Sequence, residues 1–355
     1  MDRAEILRQI AEVDRSDLNY FEILGTDRIE DSHKSFPPEY FEYRKAWSSR
    51  LFENNPGVFP LHVDIESTSR CNLRCAMCQI DFTSIPSGDI SMDIFRKVIA
   101  ESGANHLPSI KLNYRGEPTI NKNLVEMVGL AKEAGIMEVQ FNSNGVALNE
   151  KLSNDLIDAG VDRIKFSIDG ATPEVYERIR YTSYDRVVNN VKNFVRIRNE
   201  KGKIRPVVHV QMVYMQDNKD EVVKYVQMWH DIVNRIGFSR YRSTSRVLQD
   251  ERRVESVPTT TVPCSQLWQR LLVTANGQIL MCCGDHKALN PLGYITDFTL
   301  KEIWRGDLLE KRRRLHMEDR SGEIAACSMC EVNKADEKTA RSIWGKIGKN
   351  VSIQV

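Results

Sequence analysis

The 355-residue chain lacks any imbalance of charge: 50 Lys and Arg stand against 49 Asp and Glu, a formal net charge of +1. Binding a polyanion over the whole surface requires a basic excess, so nucleic acid is not an expected partner. No apolar run approaches the roughly 18–20 residues of a membrane span, and no membrane association is expected. The N-terminal MDRAEILRQIAEVDRSD is charged and lacks the apolar block and cleavage site of a signal peptide. The expected compartment is therefore the cytoplasm, where thiols stay reduced and disulfides are rare. Cysteine is absent from residue 79 to residue 263, yet the chain holds eight. They need another explanation.

A chain that is 41% hydrophobic and 28% charged is an ordinary globular composition. Its length suggests two domains, or one large α/β barrel. Three cysteines fall within eight residues, Cys71, Cys75 and Cys78; Cys264, Cys282, Cys283, Cys327 and Cys330 lie in the last quarter. Buried structural thiols scatter, whereas C-x3-C-x2-C and C-x2-C spacings suit a shared metal or iron–sulfur centre. Structural zinc wants four ligands. The first group offers three, with no histidine in the twenty residues that follow. An open fourth position suits a 4Fe–4S cluster whose unique iron takes a non-protein ligand.

Residues 1–60 read as an N-terminal extension, helical near 3–13 and then irregular. Residues 61–245 read as a repeating strand–helix unit, and 246–355 as a smaller domain with a tail. The extended runs are His62–Ser67, Ser109–Tyr114, Glu138–Ser143, Asp162–Ile168, Val207–Tyr214 and Phe238–Thr244. Between them, apolar residues recur every three to four positions, as in Val187/Val188/Val191/Phe194/Val195. Gly103, Gly135, Gly160 and Gly237 stand where helix C-caps belong. Six such units predict a parallel sheet curled into a partial (β/α)6 barrel, followed by a small α+β extension.

Side chains alternate across a strand. Val63, Ile65, Ile110, Leu112, Val139, Phe141, Ile164, Phe166, Val208 and Val210 take the helix side. His62, Asp64, Glu66, Lys111, Arg115, Gln140, Asn142, Lys165, Ser167, Asp169 and His209 take the other. Closed barrels fill their interior with bulky apolar residues. A polar lumen predicts a wide cavity for a polar ligand; the alternative is a sheet with its polar face in water.

The cysteine triplet follows the first strand at its C-terminal end, where α/β barrels place active sites. Cys71-Asn72-Leu73-Arg74-Cys75-Ala76-Met77-Cys78 strongly resembles the motif of the radical S-adenosylmethionine (radical SAM) superfamily, over about residues 61–245. The resemblance implies that Cys71, Cys75 and Cys78 hold a 4Fe–4S cluster whose fourth iron is chelated by SAM. Reductive cleavage of SAM then yields a 5′-deoxyadenosyl radical that abstracts hydrogen from substrate, with a flavodoxin- or ferredoxin-like protein as electron donor. Met77 stands where the family often has an aromatic residue, and would cover the adenine edge. Gly116-Glu117-Pro118 resembles the motif that binds the SAM amino group, where a carboxylate meets an ammonium. Asn142-Ser143-Asn144-Gly145 and Ser167-Ile168-Asp169-Gly170, at the next two strand ends, resemble the ribose and carboxylate contacts.

Beyond the barrel, Ala275-Asn276-Gly277 reads as a hairpin turn between two apolar runs. TLKEIWRGDLLEKRRRL reads as a helical piece ahead of Cys327 and Cys330. This region resembles a shortened SPASM/twitch extension, with Cys264, Cys282, Cys327 and Cys330 closing one auxiliary 4Fe–4S cluster. A zinc knot on the same thiolates is the alternative. Cys283 is left over, as a substitute ligand, an inert thiol or a hydrogen-atom donor. A closed auxiliary cluster cannot ligate substrate but can accept an electron. The expected reaction is dehydrogenation of an alcohol on a small polar molecule such as a sugar, cyclitol or nucleotide-linked sugar. Glu66, Asp64, His209, Lys165 and Arg115 are candidates near the abstraction site for the base. Arg240, Arg242 and Arg246 could hold a phosphate or simply face water. A peptide-modifying maturase, a radical epimerase using Cys283 and a non-enzymatic electron carrier are the other readings.

Overall fold

The computed structural model describes Ala4 and residues 20–24, 34–242, 251–254, 258–328 and 330–348. The helix expected near 3–13, apart from Ala4, and Arg246 lie outside the described residues. The strands are β1 (Tyr20–Leu24), β2 (His62–Ile65), β3 (Ser109–Lys111), β4 (Glu138–Ser143), β5 (Arg163–Ser167), β6 (Val207–Tyr214) and β7 (Arg235–Arg240), then β8 (Thr260–Thr261), β9 (Arg270–Val273), β10 (Gln278–Leu280), β11 (Gly293–Tyr294) and β12 (Lys334–Ala335). The helices are α1 (Pro38–Ser49), α2 (Met92–Ala104), α3 (Leu124–Glu133), α4 (Glu150–Asp158), α5 (Pro173–Arg180), α6 (Tyr184–Glu200) and α7 (Val222–Trp229), then α8 (Gln266–Gln269), α9 (Leu300–Arg305), α10 (Asp307–Met317) and α11 (Glu337–Lys346).

β2 to β7 pair in parallel in chain order, with helices α2 to α7 as crossovers. This is the partial (β/α)6 barrel that the alternation predicts. Every helix-side residue of those strands is buried in one continuous core. Three features differ from expectation. β1 pairs antiparallel with β7, so part of the extension belongs to the sheet. α1 forms where the chain reads as irregular, because Phe36, Tyr40, Tyr43 and Trp47 recur at helical spacing. They pack on Leu61, Met137 and Val207 at the amino ends of β2, β4 and β6. The last strand also starts at Arg235, three residues early. Gly237 sits inside it rather than capping a helix, because Ile236 and Phe238 both enter the core.

Gly103 also departs from its expected role. It lies in α2 where a Cβ would come within 2.7 Å of the Ala134 carbonyl, so it permits helix approach rather than a cap. Gly135 and Gly160 do adopt positive φ, at 83° and 89°. The C-terminal hairpin β9–β10 continues the barrel sheet, since β9 pairs in parallel with β2. The full order is β1-β7-β6-β5-β4-β3-β2-β9-β10-β11. Among the described residues no helix is long and apolar enough to cross a membrane.

The polar face of the strands is buried by mutual pairing. Asp64 binds Lys111 at 2.6 Å and Arg270 at 3.2 Å. Glu138 binds Arg163 at 2.8 Å and accepts from Ser109. Burial pushes the His209 imidazole well below its usual pKa, and Lys165, Arg235 and Arg163 add to this. An unfolded chain protonates histidine near pH 6.5, so below that pH the unfolded state binds the extra proton. Stability contributed by His209 is therefore present above about pH 6.5 and falls by about 1.4 kcal/mol per pH unit below it. His209→Gln is expected to flatten that slope in denaturant titrations of the apoprotein. An unchanged slope would show that His209 does not carry it.

Candidate functional site

The cysteine triplet sits in a loop from Thr68 to Asp89 whose ends are tied together. The Ser69 amide donates to the Gly88 carbonyl (2.9 Å), the Gly88 amide donates to Ser69 Oγ (2.9 Å), and Arg70 binds both Asp89 carboxylate oxygens. Within it the Cys78 amide donates to the Cys75 carbonyl and the Leu73 amide to Cys71 Sγ. The three thiols are half-buried and unbridged. Burial pushes Cys71 up to about 11 and raises Cys78 as well, so thiolates here need a neighbouring positive charge.

Gly116 ends the β3 segment against this loop. A Cβ there would stand 2.2 Å from the Thr68 carbonyl oxygen and 2.5 Å from that of Arg70, and the Glu117 amide donates to Arg70. Pro118 opens a 3₁₀ turn that Glu117 caps. The Glu117 carboxylate accepts from the Thr119 amide and hydroxyl, from Ser143 Oγ (2.8 Å) and from the Asn144 amide (2.7 Å). Its burial raises its pKa despite those donors. Glu117 therefore ties together the ends of β3 and β4. Asn144 reaches back to Asn72 between the first two cysteines, Nδ2 to Oδ1 at 2.8 Å, and the Asn142 amide donates to Asn113. Ser167 ends β5, half-buried.

Asp169 is fully buried. It accepts from the Val213 amide at 2.6 Å and is paired with Arg180 at the end of α5. The other side of the Arg180 guanidinium lies 3.4 Å from Cys75 Sγ. Burial would lower the Arg180 pKa, but Asp169 and Cys75 outweigh it and raise it, so a permanent positive charge sits beside the cysteine loop. Met77 turns into an apolar cluster with Ile179, Met215 and Tyr241. A cavity of about 120 Å³ opens beside it, lined by Ala76, Met77, Ile179, Tyr181 and Met215 among others.

The inward base candidates fall into two groups. Glu66 and Arg115 form a buried bidentate pair, with both contacts at 2.7 Å, and Glu66 also accepts from the Ala275 amide of the C-terminal hairpin. Asp64 stands deeper; burial would raise its carboxyl, yet Lys111 and Arg270 hold it well below the usual carboxylate range. A carboxylate held ionised so firmly is a weak proton acceptor. Lys165 and His209 are register partners on β5 and β6.

Cys264, Cys282, Cys327 and Cys330 come from three separate segments and gather into one group, Cys282 and Cys327 buried and the other two half-buried. Burial and their mutual repulsion push Cys264 and Cys327 up to about 12 and Cys282 well above 9.0. Gly284 fits between two of them, its missing Cβ only 3.7 Å from Cys282 Sγ and 3.9 Å from Cys330 Sγ. Three thiols in one loop and four thiols gathered from three segments are donor sets that suit iron–sulfur clusters. Cys283 stands beside the four, adds to the repulsion on Cys282 and Cys264, and donates to Gln266 Oε1 at 3.4 Å.

Several neighbours escaped the sequence reading. His286 follows the Cys282-Cys283 pair, stacks on Tyr114 with ring centroids 6.0 Å apart, and its Nε2 meets Gln79 Oε1 at 2.9 Å. Gln79 directly follows Cys78 and donates to the Arg242 carbonyl (3.0 Å), so this bridge spans the two cysteine sites. Among the described residues the buried Tyr114 hydroxyl has no hydrogen-bond partner, and burial raises its pKa. Arg180 and His316 were missed as well. Neither lies in one of the motifs singled out: Arg180 ends the helix after the Ser167–Gly170 motif, and His316 follows directly on the helical piece ahead of Cys327. Burial beside Cys327 lowers His316 to about 4, so its ring is neutral at neutral pH.

The family model described as the radical SAM superfamily matches residues 65–228, and that of the SPASM iron–sulfur cluster-binding domain matches residues 264–331. A tungsten-containing aldehyde ferredoxin oxidoreductase cofactor-modifying protein of Pyrococcus furiosus is 30% identical over 158 residues, 43% of this chain and 44% of the relative. A probable GTP 3′,8-cyclase of Saccharolobus islandicus is 29% identical over 177 residues, 48% of this chain and 54% of the relative. The chain thus spans about half the length of the curated relatives it matches. Among solved structures, BtrN in complex with AdoMet and 2-DOIA aligns with a TM-score of 0.51 at 17% identity, over 75% of this chain and 90% of that one. Streptococcus suis SuiB bound to precursor peptide SuiA aligns at 0.59 and 13% identity, over 84% and 79%. At these identities the likeness is one of fold.

Proposed function

Since the chain belongs to the radical SAM superfamily and carries a SPASM domain, we propose that this enzyme dehydrogenates an alcohol of a small polar, carbohydrate-like substrate. The observation that carries the reading is the closed set of four thiols, two buried and two half-buried, at Cys264, Cys282, Cys327 and Cys330. With every ligand supplied by protein, an auxiliary cluster there has no position for substrate and is suited to accept an electron. When bound, the cluster on Cys71, Cys75 and Cys78 together with SAM supplies a hydrogen-abstracting 5′-deoxyadenosyl radical. The carbinol carbon loses a hydrogen atom, and the hydroxyl then loses a proton as one electron leaves, giving a carbonyl. A flavodoxin- or ferredoxin-like donor supplies the electron for SAM cleavage.

The chain holds SAM through Gly116, Glu117, Pro118, Asn142, Ser143, Asn144, Ser167, Asp169 and Met77 in this reading. Glu117 orients the Ser143–Asn144 turn, and Arg180 holds Asp169. Tyr114, Gln79 and His286 stand between the two cysteine sites, and the Tyr114 hydroxyl is a donor for a substrate oxygen. Glu66, Lys165 and His209 remain the groups proposed to receive the hydroxyl proton, with Asp64 the weakest; Arg115, a guanidinium held protonated by Glu66, positions Glu66 instead.

A second reading, a radical epimerase, draws on Cys283, a fifth thiol beside the four that donates to Gln266 Oε1. Incubation of reconstituted enzyme with pools of sugars, nucleotide sugars and short peptides separates the readings by mass. Loss of two hydrogen atoms from a sugar, retained in Cys283→Ala, is the expected result. A product of unchanged mass that disappears in Cys283→Ala would replace dehydrogenation with epimerisation. A mass change confined to peptides would overturn both.

A further inference from the structure

The auxiliary site contains one buried histidine that the proposed reaction leaves unused. His316 lies in the last turn of α10 and touches two of the three ligand segments at once. The backbone N–H of Cys264 donates to His316 Nδ1 at 3.2 Å. A backbone amide can only donate, so Nδ1 presents its lone pair and the proton of the neutral ring sits on Nε2. That nitrogen stands 3.5 Å from Cys327 Sγ. The geometry therefore makes the sulfur the acceptor. It also keeps His316 from being an iron ligand, because Nδ1 is taken and Nε2 carries the proton.

We propose that His316 is a positioning residue of the auxiliary cluster, its Nε2–H donating to the Cys327 thiolate and raising the cluster's reduction potential. A hydrogen bond to a ligand sulfur withdraws electron density and favours the more negative, reduced state. The surrounding burial strengthens the bond, since no water competes for the sulfur. Arg312, one turn earlier on the same face, is also buried; its charge acts on Cys327 and Cys282, but its hydrogen bonds go to the Asn290 carbonyl and, at 3.6 Å, to Met281 Sδ. Among the described residues His316 is thus the α10 side chain that hydrogen-bonds a ligand sulfur. The hydrogen bond and the potential stand independently of the reaction; the consequence for turnover rests on the dehydrogenase reading.

Potentiometric titration followed by EPR, on reconstituted full-length protein, tests this with His316→Gln, which keeps an N–H donor, and His316→Leu, which does not. The auxiliary midpoint is expected to move to more negative potential in His316→Leu and to stay near wild type in His316→Gln. The midpoint of the SAM-binding cluster is expected to be the same in all three. Substrate turnover is expected to fall about tenfold in His316→Leu, with substrate-free 5′-deoxyadenosine formation unchanged. Equal auxiliary midpoints in the three proteins would overturn the proposal. Should His316→Leu fail to take up its cluster, wild-type holoprotein labelled with 15N-histidine decides. Pulsed EPR of its reduced auxiliary cluster must show weak coupling to one histidine nitrogen and an exchangeable proton, and their absence overturns the proposal. A shifted midpoint with unchanged turnover supports the hydrogen bond and counts against the electron-acceptor reading.

Discussion

Gly116→Ala is expected to abolish SAM cleavage while leaving the barrel folded. The added methyl would meet two backbone carbonyl oxygens, of Thr68 at 2.2 Å and of Arg70 at 2.5 Å, where real Cβ contacts stay beyond 3.0 Å. Neither oxygen belongs to a flexible side chain that can swing aside. The relief must come from moving the strand that leads into Cys71 or the turn that carries Glu117, and the Glu117–Arg70 hydrogen bond joins the two. A displacement of about 1 Å at a reacting centre costs on the order of a hundredfold in rate. Iron should fall from about eight towards about four per chain as the triplet loses its geometry while the auxiliary group keeps its own. Gly129→Ala is the control: it lies in α3 with nothing within 4 Å of the new methyl, and is expected to be silent. Wild-type iron and 5′-deoxyadenosine yields in Gly116→Ala would mean that the two segments are not in close approach.

Arg180→Leu is expected to produce the second large effect, on stability and on the first cluster together. Asp169 would be left ionised at zero exposure, holding only the Val213 amide. Stranding one partner of a buried ion pair typically costs about 3–5 kcal/mol. The same change removes the N–H that reaches Cys75 Sγ. The double variant Asp169→Asn/Arg180→Leu separates the two roles. Removing both charges should restore most of the stability in denaturant unfolding of the apoprotein, while the EPR spectrum of the reduced SAM-binding cluster stays altered. Arg180→Lys keeps the charge but not the fork, and should recover stability more than spectrum. A double variant with a wild-type spectrum would reduce Arg180 to a structural partner of Asp169.

Much of the barrel was legible because a strand writes its own period. Val63/Ile65, Val139/Phe141 and Ile164/Phe166 alternate with polar neighbours, and each pair lies in the core as the pattern requires. α1 was legible in principle: Phe36, Tyr40, Tyr43 and Trp47 carry helical spacing, but the flanking prolines read more strongly as turn. β7 was misplaced by three residues because Gly237 reads as a cap until Ile236 is seen to enter the core. The addition of β9 to the edge of β2 had no local signature, since a short apolar run pairs with whichever strand edge the fold presents.

The sequence by itself determined the chemistry, because ligand spacing and strand alternation are local properties: three thiols in one loop, four more in a second domain, and polar residues on one face of five of the six barrel strands. Tertiary structure decided which of those groups act on one another. Glu66 meets Arg115 across 49 residues, Arg180 meets Cys75 across 105, and His286 meets Gln79 across 207. Such partners share no period with one another in the chain. Burial makes their pairing obligatory, and only the folded barrel says which charge or donor stands close enough to answer it.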